Sequence, residues 1–209
     1  MDSMLQNSVS PYLNSWQKRI FDISLGSIFF ITTFPAQILI GGIILLTSGR
    51  PIIFVQDRAG KDGTIFKMYK FRTMKVGAEK EQEKLQNLNE ADGPVFKIRN
   101  DPRFTGVGKW LSHAGLDELP QLVNVISGDM SMVGPRPLPV EEYEKIRTLY
   151  AWRNTIRPGI VSTWIIKGSH HLGFGDWMQL DKRSFEDSSL TSDISLIFTV
   201  GRKILEWII

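Results

Sequence analysis

Asp117 and Glu118 stand side by side in AGLDELPQL, residues 114–122. Adjacent carboxylates ahead of a proline and a leucine-rich run have two readings. In one, Asp117 is the N-cap of a helix predicted over residues 116–127, with Pro120 in the first turn, where its missing N–H costs little. In the other, one carboxylate is a nucleophile and its neighbour orients it or holds a metal ion. Just beyond, GDMSMVGPRPLP (128–139) sets Arg136 between Pro135 and Pro137. Proline fixes φ, so the Arg136 guanidinium loses little freedom on binding and suits a bidentate phosphate contact. A carboxylate nucleophile needs cations beside it before a phosphate can approach. Mg²⁺ is the natural ion, because it takes one or two carboxylates plus phosphate oxygens. Asp117 and Glu118 are therefore candidate catalytic residues and Mg²⁺ ligands, and the set fits phosphoryl transfer.

The cations would have to come from elsewhere in the chain. Lys and Arg outnumber Asp and Glu only 25 to 22 in 209 residues, yet the charge is unevenly placed. Arg50, Arg58, Lys61, Lys67, Lys70, Arg72 and Lys75 fall together with only Asp57 and Asp62 among them, a patch that suits phosphate groups. This region reads as two β-rich runs around Asp62-Gly63, a strong hairpin signal. Period-two alternation places Phe66, Met68, Lys70 and Arg72 on one face, so Lys70 and Arg72 would form a two-cation shelf. The bland alternative is a solvated charged strand. Residues 75–94 hold helix formers ending in Gly-Pro, and Asn100-Asp101-Pro102 signals a turn. There is no cysteine, which excludes disulfides and thiolate metal sites.

Residues 20–47 are apolar over a length sufficient to span a bilayer. Pro35 lies near the middle, and Lys18, Arg19 and Arg50 flank both ends. Positive charge at both ends fits a single crossing poorly. A helix broken at Pro35 would enter one leaflet and return; the alternative is a kinked transmembrane helix. Ser24, Ser27, Thr32 and Thr33 could bond the carbonyls freed by such a break. Residues 193–209 suit an interfacial helix lying on the membrane, or an ordinary core helix.

Four stretches together resemble the successive motifs of the bacterial sugar transferases, the monotopic polyprenyl-phosphate phosphoglycosyltransferases. They are YKFRTM (69–74), NDPRFTGVGKWL (100–111), LDELPQLVNVISGDMSMVGPRPL (116–138) and RPGIVSTW (157–164). The likeness runs over nearly all of residues 16–205 and is closest to the minimal catalytic form. It implies a two-step reaction. Asp117 would attack the β-phosphate of a UDP-sugar, release UMP and hold the sugar phosphate. A polyprenyl phosphate, usually undecaprenyl phosphate, would then take it, the first membrane step of surface polysaccharide synthesis. The resemblance assigns Glu118 to the carboxylate dyad with Mg²⁺ beside it. It places Lys70, Arg72, Arg136 and Arg157 in substrate- and phosphate-binding motifs, and it favours a re-entrant helix turning back at Pro35.

The expected fold is α+β and mostly helical, with a re-entrant membrane helix, a small β-hairpin and interfacial amphipathic helices. The expected organisation is an N-terminal segment (1–17), a re-entrant helix (18–49), a cytosolic catalytic domain (50–192) and a C-terminal interfacial helix (193–209). The expected location is the cytoplasmic face of the bacterial inner membrane, in contact with lipid. Nucleic acid is not an expected partner, because the basic stretch lacks a reading helix. Two positions depart from the family pattern. Ser112, followed by His113, replaces a usual basic residue before the dyad. After Trp164, Ile165 and Ser169 replace the usual Gln and Arg, with Lys167, His170 or His171 as candidates to supply the charge. A non-catalytic membrane-bound module that binds nucleotide-sugar or lipid phosphate is the alternative reading.

Overall fold

The structure, a computed structural model, describes residues 9–163 and 173–208. Ile165, Lys167, Ser169, His170 and His171 lie outside the described residues.

Helix α1 (Trp16–Ser48) carries the apolar segment. The Ser15 hydroxyl caps its start by accepting from the Lys18 N–H at 3.2 Å. Gly49 ends it at φ 74°, a conformation that favours glycine. By length and composition α1 could cross a membrane. The chain stays helical through Pro35, so the expected interruption of the helix there is not seen. Thr32 donates its hydroxyl to the Ile28 carbonyl at 2.8 Å and Thr33 to that of Phe29 at 2.6 Å. Such local bonds let a proline persist inside a helix. Both flanks of α1 are anchored to one body: Lys18, Asp22 and Gly26 are buried near its start, Ile40, Gly41 and Ile44 near its end. Between them Ile28, Phe29, Ile31, Phe34, Ile38 and Leu39 are exposed.

The predicted hairpin forms from β1 (Ile53–Ala59) and β2 (Ile65–Phe71), antiparallel with Phe54 opposite Lys70. Asp62 and Gly63 both take positive φ, 55° and 73°, within the loop 60–64 that joins the strands. Phe66 and Met68 point inward, as the alternation implied, and pack with Leu122, Val125, Met130 and Met132. The next segment departs from the expected helix: it holds one turn, Ala78–Glu81, and a 3-10 stretch, Glu83–Leu88.

Helices α2 (Gly106–His113) and α3 (Gln121–Ser127) follow, then β3 (Ser131–Val133), α4 (Val140–Ile146) and β4 (Gly159–Val161). Strands β3 and β4 pair in parallel, Ser131 with Gly159 and Val133 with Val161. Gly134 and Gly159 must both lack a side chain, because a Cβ on either would collide with the other's backbone. Helices α5 (Phe174–Glu186) and α6 (Leu190–Ile208) complete the chain. The C-terminal segment is helical, with Val200 buried and Ile194 and Phe198 exposed on α6.

A buried ion cluster ties these parts together. Lys18 Nζ lies 2.9 Å from Asp22 and 2.6 Å from Asp193 on α6. The same Asp22 oxygen accepts from Ser131 Oγ and the Met132 N–H, each at 3.0 Å. The base of α1 thus holds both β3 and α6.

Candidate active site

Asp117 is not a helix cap. Leu116–Glu118 form a separate 3-10 turn after Gly115, α3 starts only at Gln121, and no side-chain cap bond is made at either start. The reason is Pro120, which has no N–H to donate to the Leu116 carbonyl four residues back. The turn is closed instead by Glu118 N–H to Gly115 O at 3.3 Å and Leu119 N–H to Leu116 O at 3.4 Å. The Asp117 carboxylate is therefore free of backbone duty, although the residue is only 2% exposed.

Its partner is Lys70. Lys70 Nζ lies 2.9 Å from Asp117 Oδ2 and 3.9 Å from Glu118 Oε1. Arg136 Nη1 lies 3.9 Å from the same Glu118 oxygen. Four of the residues singled out from sequence therefore converge: two carboxylates and two cations from three separate elements. Asn124 sets this register. Its amide accepts from the Tyr69 N–H at 3.2 Å and donates to the Lys67 carbonyl at 2.8 Å, which locks α3 to the edge of β2. Sequence reading missed it; the signal was a polar residue inside the apolar run LVNVIS.

The structure does not bring the other two predicted cations to the dyad. Arg72 is buried at the end of α1, where it donates to the Ser48, Gly49 and Arg50 carbonyls at 2.6, 2.8 and 2.8 Å. A cation there answers the negative end of the helix dipole. Arg157 donates through Nε to the Gly128 carbonyl at 2.9 Å, beside Arg19, which holds the last carbonyls of α3. Ser112, in place of the usual basic residue, is half-buried on α2. Its neighbour His113 turns its Nδ1 to the Lys109 carbonyl at 2.6 Å.

The turn bearing Arg136 is held from three sides. Gly134 N–H donates to Val161 O at 3.1 Å and Gly159 N–H to Pro135 O at 2.9 Å. Arg58 on β1 donates to the Pro137 carbonyl at 2.9 Å, and Arg153 to that of Arg136 at 2.8 Å. Arg58 and Lys97 add positive charge around Arg136. Burial, then the charge of Arg136, lowers Arg58 to about 10 and Lys97 to about 8. Burial raises Glu142 against the pull of Arg58 and Arg136. In the sequence, Arg58 and Lys97 stand out only as members of basic stretches.

Chemically, this is a carboxylate of very low exposure, a second carboxylate beside it, and cations able to receive a phosphate. Two adjacent hard carboxylates suit Mg²⁺, which fills the rest of its shell with water and phosphate oxygens. Among the described residues no cluster of three or more His, Cys, Asp or Glu side chains is placed to hold a metal ion.

A profile of the bacterial sugar transferases matches residues 13–206. The galactosyl transferase CpsE of Streptococcus agalactiae is 41% identical over 158 residues, 75% of this chain and 35% of that protein. The undecaprenyl-phosphate galactose phosphotransferase of Salmonella typhimurium is 32% identical over 96% of this chain and 43% of its own length. The exopolysaccharide production protein ExoY of Rhizobium meliloti is 33% identical over 87% of this chain and 82% of its own. The chain thus spans less than half of the first two relatives and most of the third. With a match over nearly its whole length and the dyad and Pro-Arg-Pro turn in one site, this chain belongs to the bacterial sugar transferase family.

Proposed function

We propose that this protein transfers a sugar 1-phosphate from a UDP-sugar to a polyprenyl phosphate at a bacterial membrane. The observation that carries it is the ion-paired constellation of Asp117, Glu118, Lys70 and Arg136 in a chain of this family. Relatives named for undecaprenyl-phosphate galactose and glucose-1-phosphate transfer support the same substrate classes.

In the first step an Asp117 oxygen forms a bond to the β-phosphorus, and the bond to the bridging oxygen breaks. UMP leaves with that oxygen and its electron pair. Lys70 and Arg136 take up the charge on the phosphoryl oxygens, and Glu118 holds both cations in place. In the second step a phosphate oxygen of the polyprenyl phosphate bonds to the same phosphorus and the Asp117 acyl-phosphate O–P bond breaks. This regenerates the carboxylate and gives a polyprenyl-diphospho-sugar. Asp117 and Glu118 would hold a Mg²⁺ ion, which would neutralise phosphate charge.

Helix α1 is the membrane element. Its two flanks are pinned to one body while its middle is apolar and exposed, which supports entry into one leaflet and return near Pro35. The catalytic body would then lie on one side, the cytoplasmic face, where UDP-sugars are found.

The test is UMP release from a panel of UDP-sugars, galactose and glucose included, with Mg²⁺, undecaprenyl phosphate and detergent-solubilised protein. The expected result is Mg²⁺-dependent UMP from at least one donor, lost in Asp117→Asn. Silence across the panel from folded protein overturns the reading and favours a module that binds without turnover.

A further inference from the structure

At the far end of α1 lies a cleft that Asp117 does not line. The last turn of α1, the chain leaving β2 and the start of α2 border an open cleft of about 640 Å³ between Thr47, Ser48, Arg72, Lys75, Phe104 and Gly106. Two cations line it, Arg72 and Lys75. Arg72 is 5% exposed, and its Nε–H is buried without an acceptor even though its terminal nitrogens are bonded. A buried donor with no partner is uncommon in a folded protein, and this one belongs to a residue that lines the cleft. Lys75 is exposed and reaches the Pro102 carbonyl only at 3.5 Å, the limit of a useful bond.

Helix α2 begins at the same place. The Thr105 hydroxyl accepts from the Gly108 N–H at 3.0 Å. The N–H groups of Gly106 and Val107, in the first turn, have no intrahelical acceptor and carry the positive end of the dipole. A Cβ added at Gly106 would meet nothing within 4 Å, so the space beside those groups is open. Outside the cations the surroundings turn apolar: Leu45 and Leu46 on α1, Val76 and Trp110 are all exposed, Leu46 by 87%.

Cations along the lining and exposed hydrocarbon at the margin match a lipid whose phosphate sits above its acyl chains. We propose that this cleft binds the phosphodiester headgroup of a membrane glycerophospholipid, fixing the C-terminal flank of α1 at the interface. The proposal rests on the reading of α1 as membrane-seated. It is separate from catalysis, since the reacting groups lie elsewhere.

The experiment uses the full chain in neutral detergent. Retained phospholipid is counted by native mass spectrometry, and binding of dihexanoyl-phosphatidylglycerol and of inorganic phosphate is titrated. Two variants are compared with wild type. Gly106→Asp places a carboxylate where it favours the helix but repels a phosphate, and Lys75→Glu reverses an exposed charge. Wild type is expected to retain phospholipid and bind the short-chain lipid. Each variant should bind it roughly tenfold more weakly, at a Tm no lower than wild type. Asp117→Asn should lose turnover and keep the lipid, which separates this inference from the catalytic one. Three outcomes overturn it: wild type that holds no lipid, variants that bind as wild type does, or inorganic phosphate that binds as tightly as the lipid.

Discussion

Arg153 donates from Nη2 to the main-chain carbonyl of Arg136 at 2.8 Å, while its Nη1 pairs with Asp181 at 2.9 Å. Asp181 is fully buried and also accepts from the Thr163 hydroxyl at 2.9 Å. A buried ion pair is weak evidence for stability, because desolvation offsets much of its attraction. Here the guanidinium also fixes the backbone from which a phosphate-binding arginine projects. The same contact joins the Pro-Arg-Pro turn to the end of β4, so two distant motifs share one support.

Replacing Arg153 by Met strands the Asp181 charge and should cost about 3–5 kcal/mol by urea denaturation. Asp181→Asn keeps the shape and tests positioning. Its UMP release should fall further than its loss of folded protein accounts for. In an Arg136→Ala background the same change should have little extra effect. Additive losses in that double-mutant cycle would show that the pair supports the fold alone.

Lys70→Met removes the cation 2.9 Å from Asp117. The expected loss in turnover is about a hundredfold or more, the size seen when one charge-stabilising donor is removed. Single-turnover UMP release is the measurement, and an unchanged burst would sink the role given to Lys70.

Lys18→Met leaves Asp22 and Asp193 facing each other without the ammonium that lies 2.9 and 2.6 Å from them. The expected penalty is about 3–5 kcal/mol. Because this cluster joins α1 to α6, hydrogen exchange should accelerate in the first turns of both helices. Exchange confined to α1 would contradict that coupling.

Lys97 is lowered to about 8, chiefly by burial and then by the charge of Arg136. Its ordinary value is about 10.4. Between these values the unfolded chain binds more protons than the folded one, so stability should rise as pH climbs from about 8 to about 10. Over the same range the site loses one positive charge, and kcat/KM should fall with an apparent pKa near 8. Lys97→Arg stays charged and should flatten that limb. A limb that persists in the variant belongs to another group.

Much of the site is legible in the sequence. Asp62-Gly63 announces the hairpin, because few residue pairs accept two positive φ values in succession. Asp117, Glu118 and Arg136 stand out by type, adjacency and flanking prolines, all local properties. Lys70 follows from strand alternation, which is a local rule as well. Alternation alone would place Arg72 beside it.

The tertiary structure decided which cations the dyad receives. Arg72 is claimed by carbonyls at the end of a helix that closes more than twenty residues earlier, and Arg157 by Gly128. Asn124, Arg58 and Arg153 act through carbonyls and amides far from them in the chain, contacts that carry no sequence period. Side-chain periodicity is written in neighbouring residues and says which face a residue occupies. What packs on that face depends on loop closure between distant segments, and only the folded chain supplies it.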